Sequence, residues 1–303
     1  FLVTDTAYNG DSIATRLMLV VIKLQQQGCP VPFADLGDIS LWFERRGSGP
    51  PLLLIGGTGG DLRRPETRFD GPLARHFDLL AYDQRGLGQS LGQSLSQGAD
   101  APYRMADYAD DAARLMAAQG WDSASVMGVS FGGMVAQELA LRHPARVRKL
   151  VLCCTAPGGA GGASFAYHAL PPMPREAMAA LKVRLSDIRH DDVWAAAHPA
   201  AYRRRLALAA ADPYADEPGH AEGARRQLLA RAGHDAWDRL PAVACPVLVA
   251  GGRFDGIVTA DVVERLAHRI PGAQLQVFEG GHFFLHEDKR AYAAIIAFLE
   301  SPP

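Results

Sequence analysis

Three residues in this chain have the types and the order to act as nucleophile, acid and base. Ser130 stands in Gly128-Val129-Ser130-Phe131-Gly132, Asp255 in Gly251-Gly252-Arg253-Phe254-Asp255-Gly256, and His282 in Glu279-Gly280-Gly281-His282-Phe283-Phe284. A serine hydroxyl is a weak nucleophile near neutral pH and needs an oriented base. A histidine supplies one, and a carboxylate can hold the imidazole tautomer and stabilise the imidazolium. The chemistry would be acyl transfer through the serine. G-x-S-x-G between an apolar run (Ala124–Met127) and a helix-like stretch (Met134–Ala140) is the pattern of a sharp strand-to-helix turn that lifts the hydroxyl above a sheet. The following helix then points free N–H groups and partial positive charge at a developing oxyanion.

Each residue alone is weak evidence. Glycine occupies 31 of 303 positions, so the pentapeptide can arise by chance, and a loop histidine in a chain with ten is more often a surface residue. A D-G pair after a strand is usually a turn. The order Ser130, Asp255, His282, each just past an apolar run, carries the reading. His286 is a weaker base because it reads as the start of the last helix. Asp261 and Asp238 are weaker acids because neither follows a strand directly. Gly56-Gly57-Thr58-Gly59-Gly60 lacks the Lys-Ser/Thr of a phosphate-binding loop and the G-x-G-x-x-G register, which argues against a nucleotide. It reads better as an oxyanion loop, with the Thr58 backbone N–H as one donor and the Phe131 N–H as the other; a simple structural turn is the alternative. Asp83-Gln84-Arg85-Gly86 reads as a charged structural turn, and Met127, Met134 and Cys153-Cys154 as core.

The elements that must position these residues alternate between strand and helix. Val31–Asp35 and Ile39–Glu44 read as strands joined by a turn at Leu36-Gly37-Asp38. Pro51–Ile55, Phe77–Tyr82, Ala124–Met127, Lys149–Cys154, Pro246–Ala250 and Leu275–Phe278 read as further strands, several of them unbroken apolar runs. Helices are expected over Tyr103–Gln119, from the Ser130 turn to about Arg142, over Thr259–Ile270 with Thr259 as N-cap, and over Asp288–Leu299. The fold class is therefore α/β, a mostly parallel doubly wound sheet, with every glycine-rich or polar cluster at the carboxyl edge of the strands. The alternation stops at Thr155. Gly158–Ala163 reads as a flexible linker. From there to Asp238 no strand is convincing, and helical stretches fall near 175–185, 191–197, 200–211 and 220–235. The expected organisation is an extension over 1–30, a core over 31–157 and 239–303, and a helical cap over 158–238. Leu87–Ser90 recurs as Leu91–Ser94, a local duplication in a loop.

Composition sets outer bounds. At 48% apolar and 21% charged residues, with a formal net charge of −2, the chain gives no reason to expect nucleic acid or an anionic membrane as partner. Its longest early apolar run, Leu17–Ile22, is too short to span a bilayer. Arg16 and Cys29 flank that run like a signal or lipoprotein segment, but Lys23–Gly28 lacks the small residues a peptidase needs. Four cysteines without a C-x-x-C pair argue against a metal or disulfide framework and fit a reducing, cytoplasmic compartment. No cofactor or metal is implied.

Taken together, these residues resemble the α/β-hydrolase superfamily over about residues 31–300, including a cap after the family's sixth strand. The resemblance implies Ser130 as nucleophile, Asp255 as acid and His282 as base, with Phe131 and Thr58 amides as the oxyanion hole. Gly56-Gly57 replaces the family's usual His-Gly, which leaves Gly57 and Thr58 as alternative loop donors. Gly128–Gly133 followed by Met-Val-Ala-Gln-Glu resembles the esterase, lactonase and enol-lactonase branch. Dehalogenases and most epoxide hydrolases carry Asp at the elbow, so Ser130 favours acyl transfer. The expected activity is hydrolysis of small to medium carboxylic esters or lactones, acyl-homoserine and enol lactones among them. In the cap, Phe165, Tyr167, Trp194, Tyr202 and Tyr214 are candidates to wall an acyl pocket, against the plainer role of packing the cap. The alternatives are C–C bond hydrolysis, peracid formation, an aminopeptidase acting after an N-terminal proline, with Glu217 and Glu222 holding the amine, and a non-enzymatic receptor.

Overall fold

Buried strands in this protein read as unbroken apolar runs because both of their faces are covered. The computed structural model describes residues 32–64, 69–90 and 102–302. The expected extension over 1–30 and the duplicated Leu91–Ser94 lie outside the described residues. Phe1–Phe33 and Ala34–Pro303 are separate units.

In chain order the elements are β1 (Phe33–Asp35), β2 (Ser40–Arg46), β3 (Pro51–Ile55), α1 (Leu73–His76), β4 (Asp78–Tyr82), α2 (Met105–Ala118), β5 (Ala124–Val129), α3 (Phe131–Arg142) and β6 (Val147–Cys153). Four helices follow: α4 (Arg175–Ser186), α5 (Asp192–Ala197), α6 (Pro199–Ala210) and α7 (His220–Ala232). The chain closes with β7 (Val247–Gly252), α8 (Ala260–Arg269), β8 (Gln274–Phe278), α9 (Phe284–Glu287) and α10 (Arg290–Glu300). The eight strands form one sheet in the order β1-β2-β4-β3-β5-β6-β7-β8. β2 pairs antiparallel with β4, and every pairing from β4 through β8 is parallel. Parallel neighbours need crossovers, and the helices supply them.

Side chains alternate across the sheet with period two and so fill two cores. Leu53 and Ile55 of β3, Val126 of β5 and Val249 of β7 pack with α2, α3 and α8. Leu52, Leu54, Met127 and Leu248 face the other way and pack with α1 and α10. Lys149 of β6 reaches the end of α10, where its Nζ donates to the carbonyls of Phe298 (2.9 Å) and Leu299 (3.2 Å). A cation there satisfies orphan carbonyls at the helix's negative end. Among the described residues no helix is long and apolar enough to cross a membrane.

Three local expectations need correction. Gly158–Ala163 is a packed corner, not a flexible linker. Gly158 bridges Asp235, and a Cβ on Gly158 would lie 2.0 Å from the His234 carbonyl oxygen. Glycines here permit close backbone approach. Thr259 holds the N-cap position of α8 but makes no side-chain capping bond; its hydroxyl bonds the Asp261 carboxylate instead. His286 lies in the one-turn α9, ahead of the last helix rather than at its start.

The corner also buries a titratable group. His234 is 5% exposed, and its Nδ1 lies 4.0 Å from Glu138 Oε1. Burial pushes its pKa down to about 4, against the pull of Glu138 nearby. The folded pKa lies below the ordinary 6.5, so the unfolded chain binds more protons between those values. Stability is therefore expected to fall as pH drops from 6.5 to 4, by up to about 3 kcal/mol for this group. Urea midpoints at pH 7, 5 and 4 measure this. A His234→Phe protein should show a flatter pH dependence, and an unaltered slope would remove His234 as its source.

Candidate active site

Ser130 sits between β5 and α3 with φ 55° and ψ −117°, a region essentially reserved for glycine. Its N–H donates to the Cys153 carbonyl (2.8 Å), and the Gly133 N–H donates to its own carbonyl (2.9 Å). The neighbouring glycines are required by space. A Cβ on Gly132 would stand 2.1 Å from the Ile55 carbonyl oxygen, and one on Gly128 would stand 2.3 Å from that of Gly132. The turn is thus pressed against the end of β3, which brings Gly57 to Ser130: a Cβ on Gly57 would lie 3.5 Å from that of Ser130. Phe131 opens α3, whose first N–H groups have no partner within the helix.

The loops after β7 and β8 bring Asp255 and His282 together. His282 Nδ1 and Asp255 Oδ2 are 2.6 Å apart. The other carboxylate oxygen, Oδ1, accepts from the Ile257 N–H (2.7 Å) and the Val258 N–H (3.0 Å). Asp255 is 2% exposed and Ser130 8%. Among the described residues Ser130 Oγ makes no hydrogen bond, and the one His282 side-chain bond is to Asp255. Base–nucleophile bonds in ligand-free sites often tighten only when substrate arrives.

Support comes from a place the sequence did not announce. The end of α4 is stitched to both loops. The His282 N–H donates to the Ser186 carbonyl (2.6 Å), the Gly256 N–H to that of Leu185 (2.9 Å), and the Ile188 N–H to that of Phe254 (2.9 Å). A Cβ on Gly281 would lie 1.9 Å from the Ser186 oxygen, so that glycine is needed for the approach. No sequence signal marks these bonds, because backbone groups of any residue can make them.

The loop over Gly56–Gly60 is tied on both sides. Gln84 Nε2 donates to the Gly56 carbonyl (2.8 Å), the Gly60 N–H donates to the Gly57 carbonyl (3.2 Å), and the Gly59 N–H donates to Gln227 Oε1 (2.8 Å) on α7. Asp83 accepts from the Leu62 (2.7 Å) and Gln89 (2.8 Å) N–H groups, and burial pushes its pKa up to about 7 against those two bonds. Asp83-Gln84-Arg85-Gly86 is thus the structural turn expected, with Arg85 paired to Asp111 in the interior.

The five aromatic candidates divide. Phe165 and Tyr167 pack edge to face at 5.0 Å, and the Phe165 N–H donates to the Ile257 carbonyl beside Asp255 (2.7 Å). Burial, to which Asp255 adds, pushes the Tyr167 phenol up to about 12. Trp194 instead packs between His190 (4.3 Å) and His198 (5.0 Å). Tyr214 lies under the Arg63 guanidinium at 3.7 Å. Tyr202 is half-buried on α6, with a backbone bond to His198. Among the described residues, only Phe165 and Tyr167 of these five are linked by contacts to the loop that carries Asp255. Two residues of α7 that nothing in the sequence singled out also approach the site: Gln227 bonds Gly59 in the Gly56–Gly60 loop, and Arg231 bonds Ser164 and the Phe165 carbonyl.

Known proteins show the same arrangement of chain. The alpha/beta hydrolase fold model matches residues 50–289. A poly(3-hydroxyalkanoate) depolymerase of Ectopseudomonas oleovorans is 30% identical over 81% of this chain and 82% of its own. RutD of Azorhizobium caulinodans, named for carbamate hydrolysis, is 29% identical over 84% of this chain and 92% of its own. Among solved structures, the enol-lactonase from Burkholderia xenovorans LB400 superposes with a TM-score of 0.69 at 23% identity, covering 89% of this chain and 100% of that one.

Proposed function

The chain belongs to the α/β-hydrolase family, and from that premise we propose that it is a serine hydrolase of carboxylic esters, lactones included, working through an acyl-enzyme on Ser130. The observation that carries this reading is the strained Ser130 turn at the same sheet edge as the 2.6 Å Asp255–His282 pair. Strain of about 1–3 kcal/mol persists only where surrounding structure enforces it, and it clusters at active sites.

In this mechanism Ser130 Oγ attacks the carbonyl carbon as His282 Nε2 takes its proton. The oxyanion is held by the Phe131 N–H and by the Thr58 N–H of the Gly56–Gly60 loop, with Gly57 as the alternative donor. The tetrahedral species collapses, the ester C–O bond breaks, and the leaving oxygen takes the proton from His282. Water then attacks the acyl-enzyme, gives a proton to His282, and releases the acid as Ser130 regains its own. A lactone yields one hydroxy acid in place of two products.

The relatives' names fit acyl chemistry, since a poly(3-hydroxyalkanoate) is a polyester and a carbamate is an acyl compound too. The aminopeptidase alternative loses its footing: Glu217 is held by Arg63 at 2.7 and 2.9 Å, and Glu222 by Arg225 and Arg226. Both carboxylates are already neutralised by arginines. The test is a panel of p-nitrophenyl esters from acetate to decanoate, several lactones, aryl carbamates and a C–C cleavable diketone. Ester or lactone turnover, with an acyl group trapped on Ser130 by intact mass, is expected. Turnover confined to the diketone or the carbamates would reject the ester reading, and one stoichiometric burst without turnover would indicate a receptor.

A further inference from the structure

The buried face of α7 consists of Gly223, Arg226, Gln227, Ala230 and Arg231. A spacing of four sets Gly223, Gln227 and Arg231 in one row along the helix. Each member meets a different loop of the site. A Cβ on Gly223 would lie 1.7 Å from the Gly86 carbonyl oxygen, so the helix backbone rests on the loop after β4. Gln227 accepts from Gly59, two residues past the glycine that touches Ser130. Arg231 donates through Nε to Ser164 Oγ (2.9 Å) and through Nη2 to the Phe165 carbonyl (3.2 Å). The Phe165 N–H in turn donates to the Ile257 carbonyl, and the Ile257 N–H to Asp255. The row therefore passes over the Gly56–Gly60 loop and ends beside the loop of the acid.

Arg231 differs from the other buried arginines. Arg85, Arg226 and Arg231 are 3%, 7% and 8% exposed. Arg85 is bonded twice to Asp111, at 2.7 Å each, and Arg226 to Glu222 at 2.7 Å. Arg231 has only neutral acceptors, and among the described residues no carboxylate pairs with it. Its Nη1 has no hydrogen-bond partner among the described residues and is not sealed from solvent. Asp255 is already engaged by His282 and two backbone N–H groups. Buried charges are ordinarily paired, because an unneutralised one carries a large desolvation penalty.

We propose that Arg231 receives an anionic group of the substrate, so that the preferred ester or lactone carries a free carboxylate on its acyl side. This rests on the ester-hydrolase reading above. The guanidinium offers an N–H fork suited to a carboxylate. The Phe165–Tyr167 pair beside it supplies an apolar flank for the carbons between carboxylate and ester, with the Tyr167 ring 5.4 Å from the guanidinium carbon. A purely structural Arg231 would clamp Ser164 and Phe165 and would treat charged and neutral substrates alike.

The test uses the full chain with monomethyl glutarate, dimethyl glutarate and glutarate as probes. Wild type is expected to favour the monoester anion over the diester by tenfold or more in kcat/KM. Arg231→Gln should lower that ratio at least tenfold, mainly through KM, and Arg231→Lys should recover part of it. Glutarate should raise the melting temperature of wild type and not that of Arg231→Gln. A wild type that turns over the diester as well as the monoester overturns the proposal. So does an Arg231→Gln protein that loses both activities in equal proportion, which is the behaviour of a clamp. If neither glutarate ester is cleaved, the ester reading is decided separately by the p-nitrophenyl ester and lactone panel above. Arg231-dependent glutarate binding then still supports the anion site, and its absence refutes it.

Discussion

Ser130→Ala is expected to lower kcat for any ester the wild type turns over by on the order of 10⁵-fold while the protein stays folded. Removing a serine nucleophile leaves only what the oxyanion donors and substrate binding supply. Ala tolerates φ 55° no better than Ser does, so the two chains should be similarly stable. Ser130→Gly separates the two roles of the position. Glycine relieves the strain, so this variant should be equally inactive yet more stable by about 1 kcal/mol. Steady-state rates with a p-nitrophenyl ester and urea midpoints measure both effects. Undiminished turnover by Ser130→Ala would end the acyl-enzyme mechanism, and a destabilised Ser130→Gly would show that the turn is not strained.

The second large effect is at Asp255. Asp255→Asn should leave the fold nearly untouched and reduce kcat by roughly 10³–10⁴-fold. The reason lies in the two backbone donors on Oδ1. Ile257 and Val258 N–H groups require an acceptor there, so the amide oxygen of Asn takes that side. The amide NH₂ is then turned toward His282 Nδ1, where the carboxylate accepted before. An imidazole facing a donor at Nδ1 must carry its proton on Nε2, which is the nitrogen that should take the proton from Ser130. Folding and substrate affinity are spared, and the base is lost. Comparing kcat and KM for the two proteins tests this; a kcat within tenfold of wild type would remove Asp255 from the mechanism.

Much of the sheet could be read from the chain because its parallel strands are covered on both faces. Pro51–Ile55 must be apolar at every position to lie between two cores, and that unbroken run is visible without a structure. The helices between β6 and β7 were legible as helices for a different reason: strand-forming runs are absent between Thr155 and Asp238. Which way those helices face was not legible. α7 buries Gly223, Arg226, Gln227, Ala230 and Arg231, a mixture with no aromatic to mark it. Trp194 and Tyr214, conspicuous as aromatics, are occupied by histidines and by an arginine. The Gly158–Ala163 stretch has the composition of a linker, but its glycines are small because His234, Asp235 and Trp237 press against them.

The amino-acid sequence by itself determined the candidate reactive groups and the edge at which they gather. An elbow needs glycines at Gly128 and Gly132, and in a parallel sheet every strand delivers its following loop to one edge. That is covalent connectivity and local sterics, written into residue types and their order. The tertiary structure alone decided what holds the groups in place and what stands over them. The backbone bonds from α4 to the loops of Asp255 and His282, the Gln227 contact to Gly59, and the Arg231 bonds to Ser164 and Phe165 all join segments far apart in the chain. Such contacts depend on how helices dock, and docking is set by shape and by the summed burial of many side chains rather than by any local pattern.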